Sequence, residues 1–356
     1  WVSLVFLGMA EITAVSNYVQ LWFPNWPAWQ IQIVFLALLS CVNLIAVKVF
    51  GEVEFWFGMI KIVTILALIV TGIFMVTTNF ETPAGHASLT NITSGFQMFP
   101  NGWVKFVMAF QMVFFAYQAI EFVGITTSET ANPRQVLPKA IKEIPIRIVI
   151  FYVGALLAIM AIFPWQQLPV NKSPFVTVFQ MVGIKWAAGL INFVVLTAAA
   201  SSLNSTLYST GRHLYQIAKE TPNSKVMNRL KLNSLSRMGI PSRAIIFSAI
   251  VVAVSAFINV LPGVSDAFAL ITASSSGVYI AIYILTMLAH LKYRKSKEFM
   301  PDGFVMPAYK VLNPLTIVFF LFVFVCLFLQ ESTYIGAIGA TIWIILFGIY
   351  SNWKHS

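Results

Sequence analysis

Three ionisable side chains, Glu11, Lys61 and Glu121, lie in stretches that are otherwise almost wholly apolar. An ionised group deep in a hydrocarbon layer costs at least about 2.5 kcal/mol, so each must find a partner, face a water-filled path or reach the interface. The chemistry open to them is the holding of a charged substrate or the movement of a proton. Bond-making chemistry is not indicated. The chain has no GxSxG, HExxH or P-loop pattern and no buried histidine paired with an acid, so no enzyme is expected. Its four histidines are scattered, and Cys41 and Cys326 stand alone in separate apolar runs without CxxC spacing. Neither a metal site, a disulfide nor a cofactor is expected from that pattern.

The elements that must position these groups are membrane helices. The chain is 59% hydrophobic and 10% charged, with a mean hydropathy of +0.83, whereas soluble domains carry about 25% charged residues. An all-α polytopic membrane protein follows. With about 20 apolar residues needed per span, ten candidates emerge: 1–23, 30–49, 55–76, 103–125, 145–163, 187–214, 243–261, 266–290, 314–329 and 334–350. A short turn is expected at Phe50–Glu54. The charged connector 129–143, with Val136, Ala140 and Ile144 at helical spacing, reads as a short amphipathic helix. It is too short for an energy-coupling domain. If Trp1 lies inside and the spans alternate, eighteen of the 22 Lys and Arg fall on the inner side. Lys105, Lys172 and Lys185 fall outside, and Lys61 alone lies well within a span. That asymmetry obeys the positive-inside rule and puts Trp1 on the cytoplasmic side. It also explains the net charge of +10 through the bilayer, with no nucleic-acid partner.

Two readings stand for each deep polar group. Glu11, roughly 18 Å from the outer end of its helix, either ties two helices together or faces a substrate or proton path. Lys61, roughly 9 Å from the inner edge, either snorkels to the cytoplasm or is fixed among the carbonyls of broken helices as a proton-linked switch. Glu121 is either a structural carboxylate at the inner mouth or part of a cavity lining. Tyr117, Gln118 and Gly124 beside it suggest a helix interruption, which is tolerated only where freed backbone groups line a cavity or a ligand. The clusters Thr197–Thr206 and Thr272–Gly277 fit close helix packing by small residues as well as a polar path, and packing is the expected role of the second. Phe319, Phe320, Phe322 and Phe324 read as lipid-facing, and the sequon Asn91-Ile92-Thr93 decides nothing.

Three blocks carry a family resemblance. Glu52-Val53-Glu54-Phe55-Trp56-Phe57-Gly58-Met59-Ile60-Lys61 resembles the fifth-helix signature of bacterial amino-acid permeases of the amino acid–polyamine–organocation superfamily. Tyr117 to Thr126 with Glu129-Thr130-Ala131-Asn132-Pro133 is similar to their sixth helix and following loop. Ala187 to Ala199 with Asn204-Ser205 and Tyr208 to Arg212 resembles their eighth. The wording is nearest the D-serine/D-alanine/glycine branch. The resemblance implies a fold of five-plus-five inverted repeats, as in sodium symporters, with two further helices. The ten segments would be helices three to twelve, so the first two family helices are expected to be absent and the chain N-terminally truncated and inactive alone. On that frame, one permease domain fills 1–356, with 1–76 the rest of the first repeat, 103–291 the second and 314–350 the last two helices.

Carried over by position, Lys61 matches a lysine that couples transport to protons, with Ser201 and Ser202 near its ammonium. The unwound segment Phe115-Ala116-Tyr117-Gln118-Ala119 to Glu121 would contact substrate, as would Glu11, Ser201 and Asn204. Where relatives have Tyr/Phe-x-Gly, this chain has Tyr117-Gln118-Ala119, and alanine leaves helical geometry less freely than glycine. The implied function is proton-coupled import of D-alanine, D-serine, glycine and L-alanine by alternating access across the bacterial cytoplasmic membrane. The alternatives are an aromatic or γ-aminobutyrate permease, a non-transporting amino-acid sensor, or a channel.

Overall fold

The computed structural model describes residues 1–45, 47–82, 85–94, 96–121, 132–168, 173–181, 185–258, 267–300 and 305–355. Its main helices are α1 (Val2–Gln20), α2 (Ala28–Ile45), α3 (Val47–Thr77), α4 (Trp103–Ala116), α5 (Pro133–Ile148), α6 (Ala155–Ile162), α7 (Pro174–Met181), α8 (Lys185–Glu220), α9 (Ser242–Val252), α10 (Ala267–Tyr293), α11 (Tyr309–Cys326) and α12 (Glu331–His355). A π-helical turn, Val149–Gly154, joins α5 to α6. Among the described residues, eight helices are long and apolar enough to cross a membrane. They account for eight of the ten expected spans. The other two segments are shorter apolar helices, Trp103–Ala116 and Ser242–Ile258.

Two boundaries differ from expectation. Residues 50–54 are helical, because α3 runs unbroken through Gly51. A helical glycine costs about 1 kcal/mol against alanine, which weakens a helix without ending it. The expected connector helix and the fifth span form one helical run over Gln135–Ile162. Pro145 removes one donor, yet the helix continues and shifts its ladder at the π turn. The segment Phe122–Ala131, including Gly124 and most of the loop block that follows it, lies outside the described residues.

The chain divides into two compact units. The first comprises Trp1–Ala10, Phe99–Lys142 and Ile258–Ser356. Its core joins Leu4 and Leu7 of α1, Phe114 of α4, Ala273, Tyr279 and Ile280 of α10, Val323 of α11, Leu327 just after it, and Ala337 of α12. Helix α10 is buried without interruption from Ile271 to Ile280. Small residues make that possible by letting helices close in. A Cβ on Gly277 would lie 2.6 Å from Ala340 Cβ, and one on Gly336 would lie 2.6 Å from the Leu270 carbonyl oxygen. Thr272 and Ser274 turn their hydroxyls back to the carbonyls of Ala269 and Leu270, so the polar stretch stays satisfied in contact with its neighbours. The phenylalanines of α11 split by face: Phe319 and Phe322 are exposed, whereas Phe320 and Phe324 pack on the core. Gly336→Ala is expected to destabilise the protein by about 1–3 kcal/mol through overpacking, read as a lower melting temperature in detergent. Gly339→Ala is the control and should not lower it, because a Cβ there meets nothing within 4 Å and alanine is the better helix former by about 1 kcal/mol.

The second unit comprises Glu11–Met98 and Glu143–Phe257. Here α8 is the central rod, packed by α2, α3, α7 and α9. A second apolar cluster gathers Leu68 and Met75 of α3, Ala155, Ile159 and Ile162 of α6, and Val178 of α7. A Cβ on Gly72 would stand 2.9 Å from Ala158 Cβ, so α3 and α6 meet closely. The loop after α3 folds as a two-residue hairpin, Glu81–Thr82 against Gly85–His86. The carboxamide of Asn91 donates to the carbonyls of His86 and Ala161, at 3.1 and 2.9 Å. That gives the sequon asparagine a structural task.

Candidate functional site

Lys61 is tied to a neighbouring helix. Its ammonium donates to Ser201 Oγ of α8 at 3.0 Å. Ser201, fully buried, donates in turn to Glu54 Oε1 at 2.8 Å. A serine hydroxyl accepts and donates at once, so one oxygen stands between a cation and a carboxylate. Helix geometry supplies the arrangement. Glu54 and Lys61 are seven residues apart on α3, nearly two turns, hence on one face. Helical side chains lean toward the N-terminus, which brings the long lysine stem back along α3 toward Glu54. The other carboxylate oxygen, Glu54 Oε2, is buried and has no hydrogen-bond partner among the described residues.

Two further ties surround this network. Ser202, next on α8, donates to Glu11 Oε1 at 2.6 Å, and Glu11 lies within electrostatic reach of Lys61. Ser202 thus serves the glutamate, while Ser201 serves the lysine. Asn43 of α2 donates to Asn204 Oδ1 at 2.8 Å. Asn204 is fully buried, and its Nδ2 keeps no partner among the described residues.

In the first unit α4 stops at Ala116, four turns after Trp103. The N–H groups of Tyr117 and Gln118 bond back to Phe114 and Phe115 in tighter turns, and Ala119 takes φ of 69°. A left-handed residue with a Cβ costs about 1–2 kcal/mol, so the break must be held by its surroundings. The holding is by side chains. Gln118 Nε2 donates to Ser276 Oγ at 2.9 Å, and Ser275 Oγ donates to Gln118 Oε1 at 3.0 Å. Tyr283 donates to Glu121 Oε2 at 2.6 Å. Phe115 meets Phe268 edge to face at 6.0 Å, and Ala119 packs on the core. Ala119→Gly should therefore stabilise the protein by about 0.5–1 kcal/mol by removing the Cβ strain. A rise in melting temperature would record it, and a fall would show that the methyl packs more favourably than the strain costs.

The structure thus brings Lys61 and Ser201 together, and Glu11 with Ser202, in the second unit. In the first it gathers Phe115 to Glu121 at the end of α4. Five partners were not expected from the sequence. Glu54 had been placed in a turn, although its spacing from Lys61 fits one helical face once the helix is extended. Ser275 and Ser276 read as packing residues, and no local pattern marks Tyr283. Asn43 was one polar residue in an apolar run.

Residues 1–353 match the amino acid permease family. The chain is 46% identical to the DL-alanine permease SerP2 of Lactococcus lactis, over 99% of this chain and 76% of the relative. It is 44% identical to the serine permease SerP1 of the same organism, over 99% and 78%. It is 39% identical to the D-serine/D-alanine/glycine transporter of Escherichia coli, over 98% and 74%. With several membrane-crossing helices and a family match over nearly its whole length, the chain belongs to the amino acid permease family of multi-pass membrane transporters.

Proposed function

We propose that this permease imports small neutral amino acids, alanine, serine and glycine including D-forms, together with a proton and by alternating access. The cargo follows the names of the relatives: an alanine permease, a serine permease and a D-serine/D-alanine/glycine transporter. Ten spans in an inverted-repeat arrangement form the frame of this reading, with the segments at α4 and α9 as the two shorter members.

The observation that carries the coupling is the Lys61 ammonium held by Ser201 inside the helix bundle of its unit. A cation kept there can bias one state of the transporter over another by gaining or losing its proton. Cargo binding is assigned to the end of α4. The side chains of Gln118 and Glu121 are already bonded within the protein, and the main chain around Ala119, where the helix breaks, is assigned to receive the amino and carboxylate groups of a free amino acid. Asn204, whose Nδ2 has no partner among the described residues, and Glu11 are assigned to cargo handling within the second unit. The test is uptake of labelled alanine into proteoliposomes by the full-length gene product, with a panel of D- and L-amino acids as competitors. Saturable uptake, accelerated by an inward proton gradient and blocked by glycine and serine of either hand, is the expected result. Binding without flux would make the protein a sensor, and preferential competition by phenylalanine or γ-aminobutyrate would reassign the cargo.

A further inference from the structure

We infer that Glu54 is the inner acceptor of the transported proton, taking it from Lys61 through Ser201. This rests on the proton-coupled reading above and goes beyond it by naming the step after the lysine. The three groups are linked without a gap: Lys61 Nζ to Ser201 Oγ at 3.0 Å, and Ser201 Oγ to Glu54 Oε1 at 2.8 Å. In the transfer, an N–H bond of the ammonium breaks as its proton binds Ser201 Oγ. The hydroxyl's own O–H bond breaks as its proton binds Glu54 Oε1. Ammonium and carboxylate become amine and carboxylic acid, with serine unchanged and no charge created. The acid then yields its proton to water on the cytoplasmic side. That side is set by the charge asymmetry, which places the first residues of α3 inside, and Glu54 stands about 10.5 Å nearer to it than Lys61 along the helix.

The surroundings favour this acceptor. Glu11 on α1 is the other acid facing Lys61, but its bond from Ser202 ties it to the next residue of α8. Helices α2, α6 and α7 bring no charged residue to α3. Further along α8, Arg212 lies over the ring of Tyr208 at 3.6 Å. Glu52, one turn-half away on α3, is exposed and accepts from Trp56. Among the described residues, Glu54 alone combines a bonded link to the lysine with a buried second oxygen that has no partner. A buried carboxylate oxygen without a donor is costly, and protonation of the group relieves that cost.

The test uses Glu54→Gln in the full-length transporter in proteoliposomes, with three readouts: uptake driven by a proton gradient, alanine counterflow without a gradient, and alanine-induced proton entry reported by a trapped dye. Gradient-driven accumulation and proton entry should fall by about 100-fold, the scale of a lost proton-transfer group. Counterflow should fall far less, since it needs no net proton release, and Glu54→Asp should restore part of the coupling. If Glu54→Gln keeps gradient-driven uptake within about twofold while Lys61→Ala loses it, the proton leaves the lysine by another route and the inference is overturned. Loss of all three readouts without rescue by aspartate also overturns it, by making Glu54 a structural residue. If the unaltered protein ignores the gradient, the proton-coupled reading itself fails, a result distinguishable from either.

Discussion

Replacing Lys61 with alanine is expected to uncouple uptake from the pH gradient, with gradient-driven accumulation of alanine lost by about tenfold or more. Among the described residues, the variant removes the only charge in direct hydrogen-bond contact with Ser201 Oγ besides Glu54. It also strands Glu54, whose second oxygen already lacks a partner among the described residues. A buried polar group left unsatisfied costs about 1–3 kcal/mol, and more when charged, so the single variant should also be less stable. Stability and coupling separate in the double variant Lys61→Ala with Glu54→Gln. Neutralising the carboxylate should recover most of the lost melting temperature and none of the pH response. Should Lys61→Ala keep a pH-dependent uptake like that of the unaltered protein, the lysine has no part in coupling.

Gln118→Leu is expected to destabilise the first unit by about 2–4 kcal/mol and to weaken cargo binding. The leucine fills similar space but leaves Ser275 and Ser276 without the amide that joins them. Both serines are fully buried, and each orphaned hydroxyl costs about 1–3 kcal/mol. The lower bound comes from α10 itself, because a serine there can rotate its hydroxyl to a carbonyl of its own helix, as Ser274 does. Adding Ser275→Ala and Ser276→Ala to Gln118→Leu removes the stranded groups and should return most of the stability, a coupling that a mutant cycle isolates. Affinity for alanine should stay low, since the turn carrying Ala119 has lost its tether. Full affinity in the triple variant would show that the turn is set by α4 alone.

What could be read in the sequence was the misfit of single residues. Glu11, Lys61 and Glu121 stood out because each is costly in lipid, and Lys61 could be identified as unusual from the charge asymmetry alone. The end of α4 was foreshadowed by Tyr117-Gln118 within an apolar run. The register of the break was not, because Ala119 has no intrinsic taste for φ of 69° and is held there by contacts. Those contacts join residues 157 and 158 positions apart, and no local pattern marks which of several buried serines will face a given amide. Glu54 was missed for a different reason. Gly51 and the acids around it imitate a turn, and only the packing of α3 on α8 carries the helix through them. The long helices were legible because length and hydropathy suffice for them. The segment from Trp103 was overextended, since apolar composition continues past Ala116, where the backbone turns.

Helix α8 carries a consequence for how the protein is made. It holds Thr197, Ser201, Ser202 and Asn204 in its middle, and it is the least apolar of the eight long helices. The groups that serve the lysine network are the ones that make this segment a poor solute in lipid. Left alone during synthesis, such a segment partitions weakly into the bilayer. Sheathed by α2, α3 and α9, it buries those groups against partners. Its membrane integration is thus a cooperative event, and α2 and α3, which leave the ribosome first, act as a receiving surface for it. Weakening the Asn43–Asn204 bond would then show in newly made protein as a loss of integrated α8, before any transport is measured.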